Sequence, residues 1–129
     1  MNTQPTFVVE RAYDDPVAGR YRLLVDRLWP RGISKDRAAL DEWNRDLAPS
    51  ADLRKWYGHV PERFEEFDRR YRVELAAPEI TAALDALRAA ARQQPVALVT
   101  ATKDVDRSGA EVLRKVLVGE PTEPRRTPK

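Results

Sequence analysis

The feature that most constrains the fold is the nearly continuous apolar run VALVTA at residues 96–101. The run is far too short to cross a bilayer and fits a central strand that is covered on both faces. Two further strands are predicted upstream, over residues 6–12 and 21–26. A helical block separates the second strand from the apolar run, as a long crossover would. We therefore predict a small single-domain α/β fold whose sheet is partly parallel and flanked by about five helices.

Helix signals are strong along most of this block. The spacing of apolar residues predicts a helix over residues 36–47, and Ser50 is expected to cap a short helix that ends near Tyr57. Pro61 and Pro78 stand where the first residue of a helix commonly lies, so each is expected to open a longer helix. After the apolar run, SGAE at residues 108–111 matches the S-x-x-E capping box and predicts a final helix that starts at Ser108.

Composition limits the classes of protein that the chain can form. Its 129 residues suit one domain, which we place at residues 1–118, and the proline-rich segment 119–129 is expected to be disordered. The absence of cysteine excludes disulfides, thiolate nucleophiles and cysteine-ligated metals. No signal peptide or membrane segment is recognised, so a cytoplasmic location is expected. A net charge of +2 does not by itself imply binding to nucleic acid.

The largest group of candidate binding residues lies at the end of the second predicted strand. Arg27 and Arg31 can each offer paired hydrogen bonds to a phosphate or carboxylate, and Lys35 follows them. Trp29 can stack on a ring or support an arginine, and Asp26 can orient Arg27 or bind a sugar hydroxyl. The structural alternative is that Trp29 anchors the core while Asp26 and Arg27 form an ion pair.

A second candidate site follows the apolar run. The amino end of the last helix has free backbone N–H groups and a partial positive charge, and Lys103 and Arg107 add formal charge nearby. Ser108 is interpreted as a helix cap rather than as a nucleophile, and it is also a candidate for contact with a ligand at this helix end. Asp104 is either a general base or a turn residue, with the turn favoured. The glycine spacing of a P-loop or a dinucleotide-binding turn is absent, and no cofactor is expected.

A third candidate site surrounds His59, the one histidine of the chain. Its ordinary pKa suits a general acid or base, although a lone histidine is more often structural. Arg54 is a better candidate for contact with a ligand. His59 has no neighbouring metal-ligating pattern, so no metal site is expected. Ligands of α/β sheets bind beyond the carboxyl ends of parallel strands, where the first two candidate sites are expected to meet.

The octapeptide VDRLWPRG at residues 25–32 resembles the hallmark of the YeaO-like family of small bacterial proteins, a family of domains of unknown function. The similarity covers residues 7–118. It includes LAPS at 47–50, LRKW at 53–56, Gly58-His59, Trp43, Phe67, Tyr71, Glu74-Leu75 and Lys103-Asp104. The resemblance implies one compact α/β domain and a bacterial cytoplasmic protein, and it carries over no established activity. Ser108-Gly109 departs from the family pattern, in which an asparagine tends to precede the alanine.

These residues favour a protein that binds a small anionic ligand, phosphorylated or nucleotide-like, as an enzyme or as a sensor. Asp26, His59 and Asp104 are weak catalytic candidates in this interpretation. The alternative is a nucleic-acid-binding or regulatory protein that uses the same arginines and the basic tail. A protein-interaction module without a ligand is a third possibility. The oligomeric state stays open.

Overall fold

A computed structural model of the chain describes residues 4–120. Four strands form one sheet in the order β1-β4-β2-β3, and every neighbouring pair is parallel. The strands are β1 (Phe7–Arg11), β2 (Tyr21–Leu24), β3 (Glu42–Trp43) and β4 (Val96–Thr100). All five residues of β4 are buried, which confirms the central strand predicted from the apolar run. The α/β class is confirmed, and the sheet is fully rather than partly parallel.

Five α-helices surround the sheet, together with short 3₁₀ turns. The helices are α1 (Lys35–Ala38), α2 (Ala51–Tyr57), α3 (Phe64–Leu75), α4 (Pro78–Gln93) and α5 (Gly109–Val118). Ser50 caps α2 by accepting a hydrogen bond from the Leu53 amide at 3.1 Å, and Ser108 caps α5 in the same way with the Glu111 amide. Both predicted caps are confirmed. Glu111 does not complete the capping box, because its carboxylate pairs with Arg114.

The helix predicted over residues 36–47 is wrong. Helix α1 ends at Ala38 because Ala39 adopts a left-handed conformation, with φ of 49°. The chain then forms β3 and a 3₁₀ turn at Arg45–Leu47. The apolar spacing that suggested a helix has a different cause, since Leu40 and Trp43 pack against one face of the sheet while Leu47 belongs to the core on the other face.

The sheet has two unequal faces. The larger core includes Leu23, Val25 and Leu98 together with apolar residues of α2, α3, α4 and α5. The smaller core, which includes Leu24 and Val99, is covered by partly buried side chains from the segment that follows β2. This second cover is made of Trp29, Ile33, Leu40 and Trp43, with Val8 from β1. The face under the four longer helices is therefore the main source of stability.

The order of the strands determines where a ligand can enter. The chain leaves β2 to form β3 on one side and returns through α2, α3 and α4 to place β4 between β1 and β2. All strands point the same way, so their carboxyl ends share one edge. After β3 the chain turns back across the sheet to add β4 on the other side of β2, and such a reversal in strand order opens a crevice at that edge. The segments after β2 and β4 meet there.

The predicted tail 119–129 lies outside the described residues except for its first two. Gly119 ends α5 in a left-handed conformation, and Glu120 forms an ion pair with Arg114. In the part of the chain that the structure describes, no helix is long and apolar enough to cross a membrane.

Candidate functional site

A cavity of about 330 Å³ lies at the carboxyl edge of the sheet. Val25 and Asp26 line it from the end of β2, and Ala101 and Thr102 line it from the end of β4. We call it the strand-end cavity. Its other lining residues are Tyr13, Arg27, Leu28, Trp29, Pro30, Arg31, Pro49, Arg54, Tyr57, His59, Phe67, Gly109 and Ala110. The first and third candidate sites of the sequence therefore share one cavity.

Positive charge exceeds negative charge in the strand-end cavity. Arg27, Arg31 and Arg54 line it together with His59, whereas Asp26 is the one acidic residue among the lining residues. Within residues 4–120, none of the three arginines forms an ion pair. Their charges are consequently free to attract an anion from solution.

Arg27 is the most firmly held of these cations. Its Nε donates a hydrogen bond to the Pro49 carbonyl at 3.0 Å, and its side chain is half-buried. A guanidinium has five N–H groups, so this single bond fixes its direction and leaves the terminal amino groups available. Partial burial removes competing water and strengthens any bond that Arg27 makes to an anion.

Asp26 is held by the neighbouring strand rather than by Arg27. Its two carboxylate oxygens accept hydrogen bonds from the Thr100 hydroxyl and the Ala101 amide, each at 2.8 Å. Burial raises the pKa of Asp26 above its ordinary value, and these two bonds and the nearby His59 offset the effect only in part. No ion pair joins Asp26 to Arg27 in the described residues, so the structural alternative drawn from the sequence is wrong at this point.

The raised pKa of Asp26 leads to a prediction about stability. The folded protein holds the Asp26 proton to a higher pH than the unfolded chain does, so Asp26 lowers stability as the pH rises above about 4. An Asp26→Asn variant cannot titrate there. Its free energy of unfolding relative to the unmodified protein should therefore increase between pH 4 and pH 7 in urea denaturation. A relative stability that stays constant or falls over this range would contradict the burial argument.

His59 reaches the cavity through an unusual backbone. Helix α2 ends at Gly58, with φ of 53°, and His59 follows with φ of 58°. Left-handed geometry is uncommon for a residue with a side chain, although histidine adopts it more often than most residues. The imidazole lies 5.7 Å from the Tyr57 ring, measured between centroids. His59 lines the cavity, and a functional role for it stays a prediction.

Aromatic side chains form the apolar wall. Tyr57 stacks on Phe67 with centroids 4.2 Å apart, and both line the cavity. Trp29 lines it as well, but its Nε1 donates to the Ile33 carbonyl at 2.7 Å and its ring meets Trp43 edge-on. Trp29 thus anchors the second core and borders the cavity, which combines both interpretations made from the sequence.

The amino end of α5 forms part of the same wall. Gly109 and Ala110, the first two residues of the helix, line the cavity. The earliest N–H groups of a helix have no acceptor within the helix and favour a nearby anion. Gly109 also allows α5 to pack closely against Pro49, since a Cβ at Gly109 would lie 3.3 Å from the Pro49 side chain.

Some residues singled out in the sequence do not line the cavity. Asp104 pairs with Arg107 at 3.0 Å on the surface, which favours the turn interpretation. Ser108 is fully buried as the cap of α5. Lys35 and Lys103 are exposed, and their contact with a ligand stays a prediction. Among residues 4–120, no group of acids and histidines could hold a metal ion.

Other lining residues were missed by the sequence reasoning. From the sequence, Tyr57 is only the end of a predicted helix and Phe67 is only part of the family resemblance, and no site role is predicted for Tyr13 or Pro49. Phe67 lies on the apolar stripe of α3, which in sequence looks like any buried helix face. The proximity of Pro49 and Gly109 has no sequence signal, because it depends on how α5 packs.

The fold and the site define a small parallel α/β protein with a cationic cavity at the carboxyl edge of its sheet. The chain belongs to the YeaO-like family: residues 6–127 match a family model described as an inactive DUF488-N3 subclade. It is 41% identical to the uncharacterized protein YeaO of Escherichia coli over 106 residues, which cover 81% of this chain and 90% of that protein.

Uncharacterized proteins of Mycobacterium tuberculosis and Mycobacterium bovis are also similar to this chain. Each is 49% identical to it over 113 residues, which cover 86% of this chain and 92% of the relative. No solved structure matches the chain. The relatives therefore establish the family, and the cavity itself has to indicate what the protein does.

Proposed function

We propose that this protein binds a small anionic ligand, phosphorylated or nucleotide-like, in the strand-end cavity. The observation that carries the proposal is the convergence of Arg27, Arg31 and Arg54 on one cavity without ion pairs in the described chain. Unpaired arginines that meet in a concave site are suited to paired hydrogen bonds with phosphate or carboxylate oxygens. A purely structural role would be expected to pair these charges with acids.

Two further features support a small ligand. A volume of about 330 Å³ is at the low end of the range for ligand sites, which favours a single compact molecule. The amino end of α5 adds partial positive charge beside Arg27. The aromatic wall offers an apolar surface to the part of the ligand that is not charged.

Binding without catalysis is the form of this function that we favour. The matching family model is described as an inactive subclade. Asp26 and His59 both border the cavity, but no hydrogen bond joins them in the described residues. A sensor or carrier needs only the cationic cavity and the aromatic wall, both of which are present.

Titration of the full chain with inorganic pyrophosphate, followed by amide chemical shifts, tests the proposal. Saturable shifts are expected for residues around the cavity. Arg54→Gln should weaken the affinity about tenfold, because it removes one charged hydrogen-bond donor from an exposed part of the cavity. Arg31→Gln should have a similar or smaller effect.

The matched control is Arg92→Gln, which removes an exposed arginine of α4 that does not line the cavity. It changes the net charge of the protein as much as Arg54→Gln does, and its affinity should stay within twofold of the unmodified protein. An equal loss in both variants would mean that binding depends on overall charge. The absence of saturable shifts in the unmodified protein would refute the proposal.

A further inference from the structure

Asp26 stands out as an acid at the edge of a cavity that otherwise carries positive charge. Arg27, Arg31, Arg54 and His59 line the cavity with it. A ligand that presented only phosphate oxygens would be attracted by the arginines and repelled by Asp26. The arrangement instead suits a ligand with two different groups, one that is anionic and one that donates a hydrogen bond.

The contacts of Asp26 leave it with spare acceptor capacity. Each oxygen accepts one bond, from Thr100 and Ala101 respectively, and each carboxylate oxygen can accept two. Thr100 is itself fixed, because its hydroxyl oxygen accepts a bond from the Thr102 amide at 3.2 Å. Asp26 is therefore held in one orientation by neutral donors.

The spare acceptor sites matter because Asp26 is half-buried. A desolvated carboxylate is costly unless its acceptor sites are filled. Arg27 does not fill them, since its Nε is directed to the Pro49 carbonyl and no ion pair joins the two residues in the described chain. A hydroxyl of the ligand, donating to Asp26, would complete the set.

We propose that the strand-end cavity is selective for phosphomonoesters that carry a free hydroxyl, with the phosphate at the arginines and the hydroxyl donating to Asp26. This inference rests on the proposed function and defines the class of ligand. Sugar phosphates and nucleoside monophosphates share this chemistry. Sites built to bind a hydroxyl discriminate strongly against analogues that lack it, because the buried acceptor is then left unfilled.

The test compares two ligands that differ only in hydroxyl groups. Glycerol 3-phosphate and propyl phosphate are titrated separately into the full chain by calorimetry. Glycerol 3-phosphate should bind the unmodified protein about tenfold more tightly, as expected for one hydrogen bond to a charged acceptor. Equal affinities would overturn the inference while leaving the binding of phosphate intact. A protein that binds pyrophosphate but neither of these ligands would refute the inference alone, and a protein that binds none of the three would refute the proposed function as well.

The Asp26→Asn variant tests whether Asp26 causes the preference for glycerol 3-phosphate over propyl phosphate. It keeps the shape of the side chain and removes its charge, so it should bind the two ligands with affinities within about threefold of each other. Asp104→Asn is the matched control, since Asp104 follows the neighbouring strand β4 and does not line the cavity. It should retain the tenfold preference. A preference that survives in Asp26→Asn would overturn the inference.

Ribose 5-phosphate and adenosine 5′-monophosphate, titrated in parallel, distinguish the two sources of the same chemistry. If either binds more tightly than propyl phosphate, and Asp26→Asn removes that advantage, the proposal is supported. If neither does, it is overturned. The comparison among ligands on the unmodified protein does not depend on how well the variants fold.

Discussion

Replacement of Arg27 by glutamine should weaken the binding of pyrophosphate by about 100-fold, equivalent to about 2.7 kcal/mol. Arg27 is the half-buried arginine of the cavity, held in place by the Pro49 carbonyl at 3.0 Å. Its bonds to an anion form with little competition from water and need no reordering of the side chain. The loss should therefore exceed that of Arg54→Gln, whose side chain is exposed.

An Arg27→Lys variant separates charge from geometry. Lysine keeps the positive charge but lacks the planar fork of donors, so an intermediate loss of about tenfold is expected. Calorimetry measures the affinities, and urea denaturation shows whether each variant is folded. Full affinity in Arg27→Gln, with the fold intact, would exclude Arg27 from the binding site.

Replacement of Leu98 by alanine should lower the free energy of unfolding by about 3 kcal/mol. Leu98 is fully buried at the middle of β4, the central strand, and belongs to the larger core. Strands on both sides restrict the backbone at this position, so the space left by the side chain cannot close completely. Urea denaturation at pH 7 measures the change.

Val73→Ala is the control for this experiment. Val73 is 74% exposed on α3, and its loss should change the free energy of unfolding by less than about 0.5 kcal/mol. Leu98→Val retains most of the volume and should cost about 1 kcal/mol, which keeps the series measurable if Leu98→Ala does not fold. A similar effect of Leu98→Ala and Val73→Ala would contradict the assignment of β4 to the core.

The parts of the fold that follow from local sequence were predictable. Continuous burial of β4 is encoded in its apolar run, and the starts of α2 and α5 are encoded in Ser50 and Ser108, whose hydroxyls cap the helices. The prediction of a helix over residues 36–47 is wrong because the tertiary structure overrides the local pattern there. Its apolar spacing fits a helix locally, but Ala39 adopts a left-handed conformation and the following residues join the sheet as β3.

The candidate site was predictable only in part. Asp26, Arg27, Trp29 and Arg31 could be identified because a strand ends there in a charged and rigid segment. Arg54 could be named as a candidate for contact with a ligand, but its place in the same cavity depends on how α2 packs, which the sequence does not indicate. The partners of Asp26 were equally hidden, because Thr100 and Ala101 approach it only through the parallel pairing of β2 and β4.

The dual position of Trp29 has a consequence for how this family can diversify. The segment that forms one wall of the cavity also covers the second core, so a substitution there changes folding stability together with the ligand preference that we propose for the cavity. Arg54 and His59 also line the cavity, but their side chains are exposed and do not cover the second core. Under the proposed function, substitutions at these two exposed positions can alter ligand preference at less cost to folding stability than substitutions in the segment that contains Trp29.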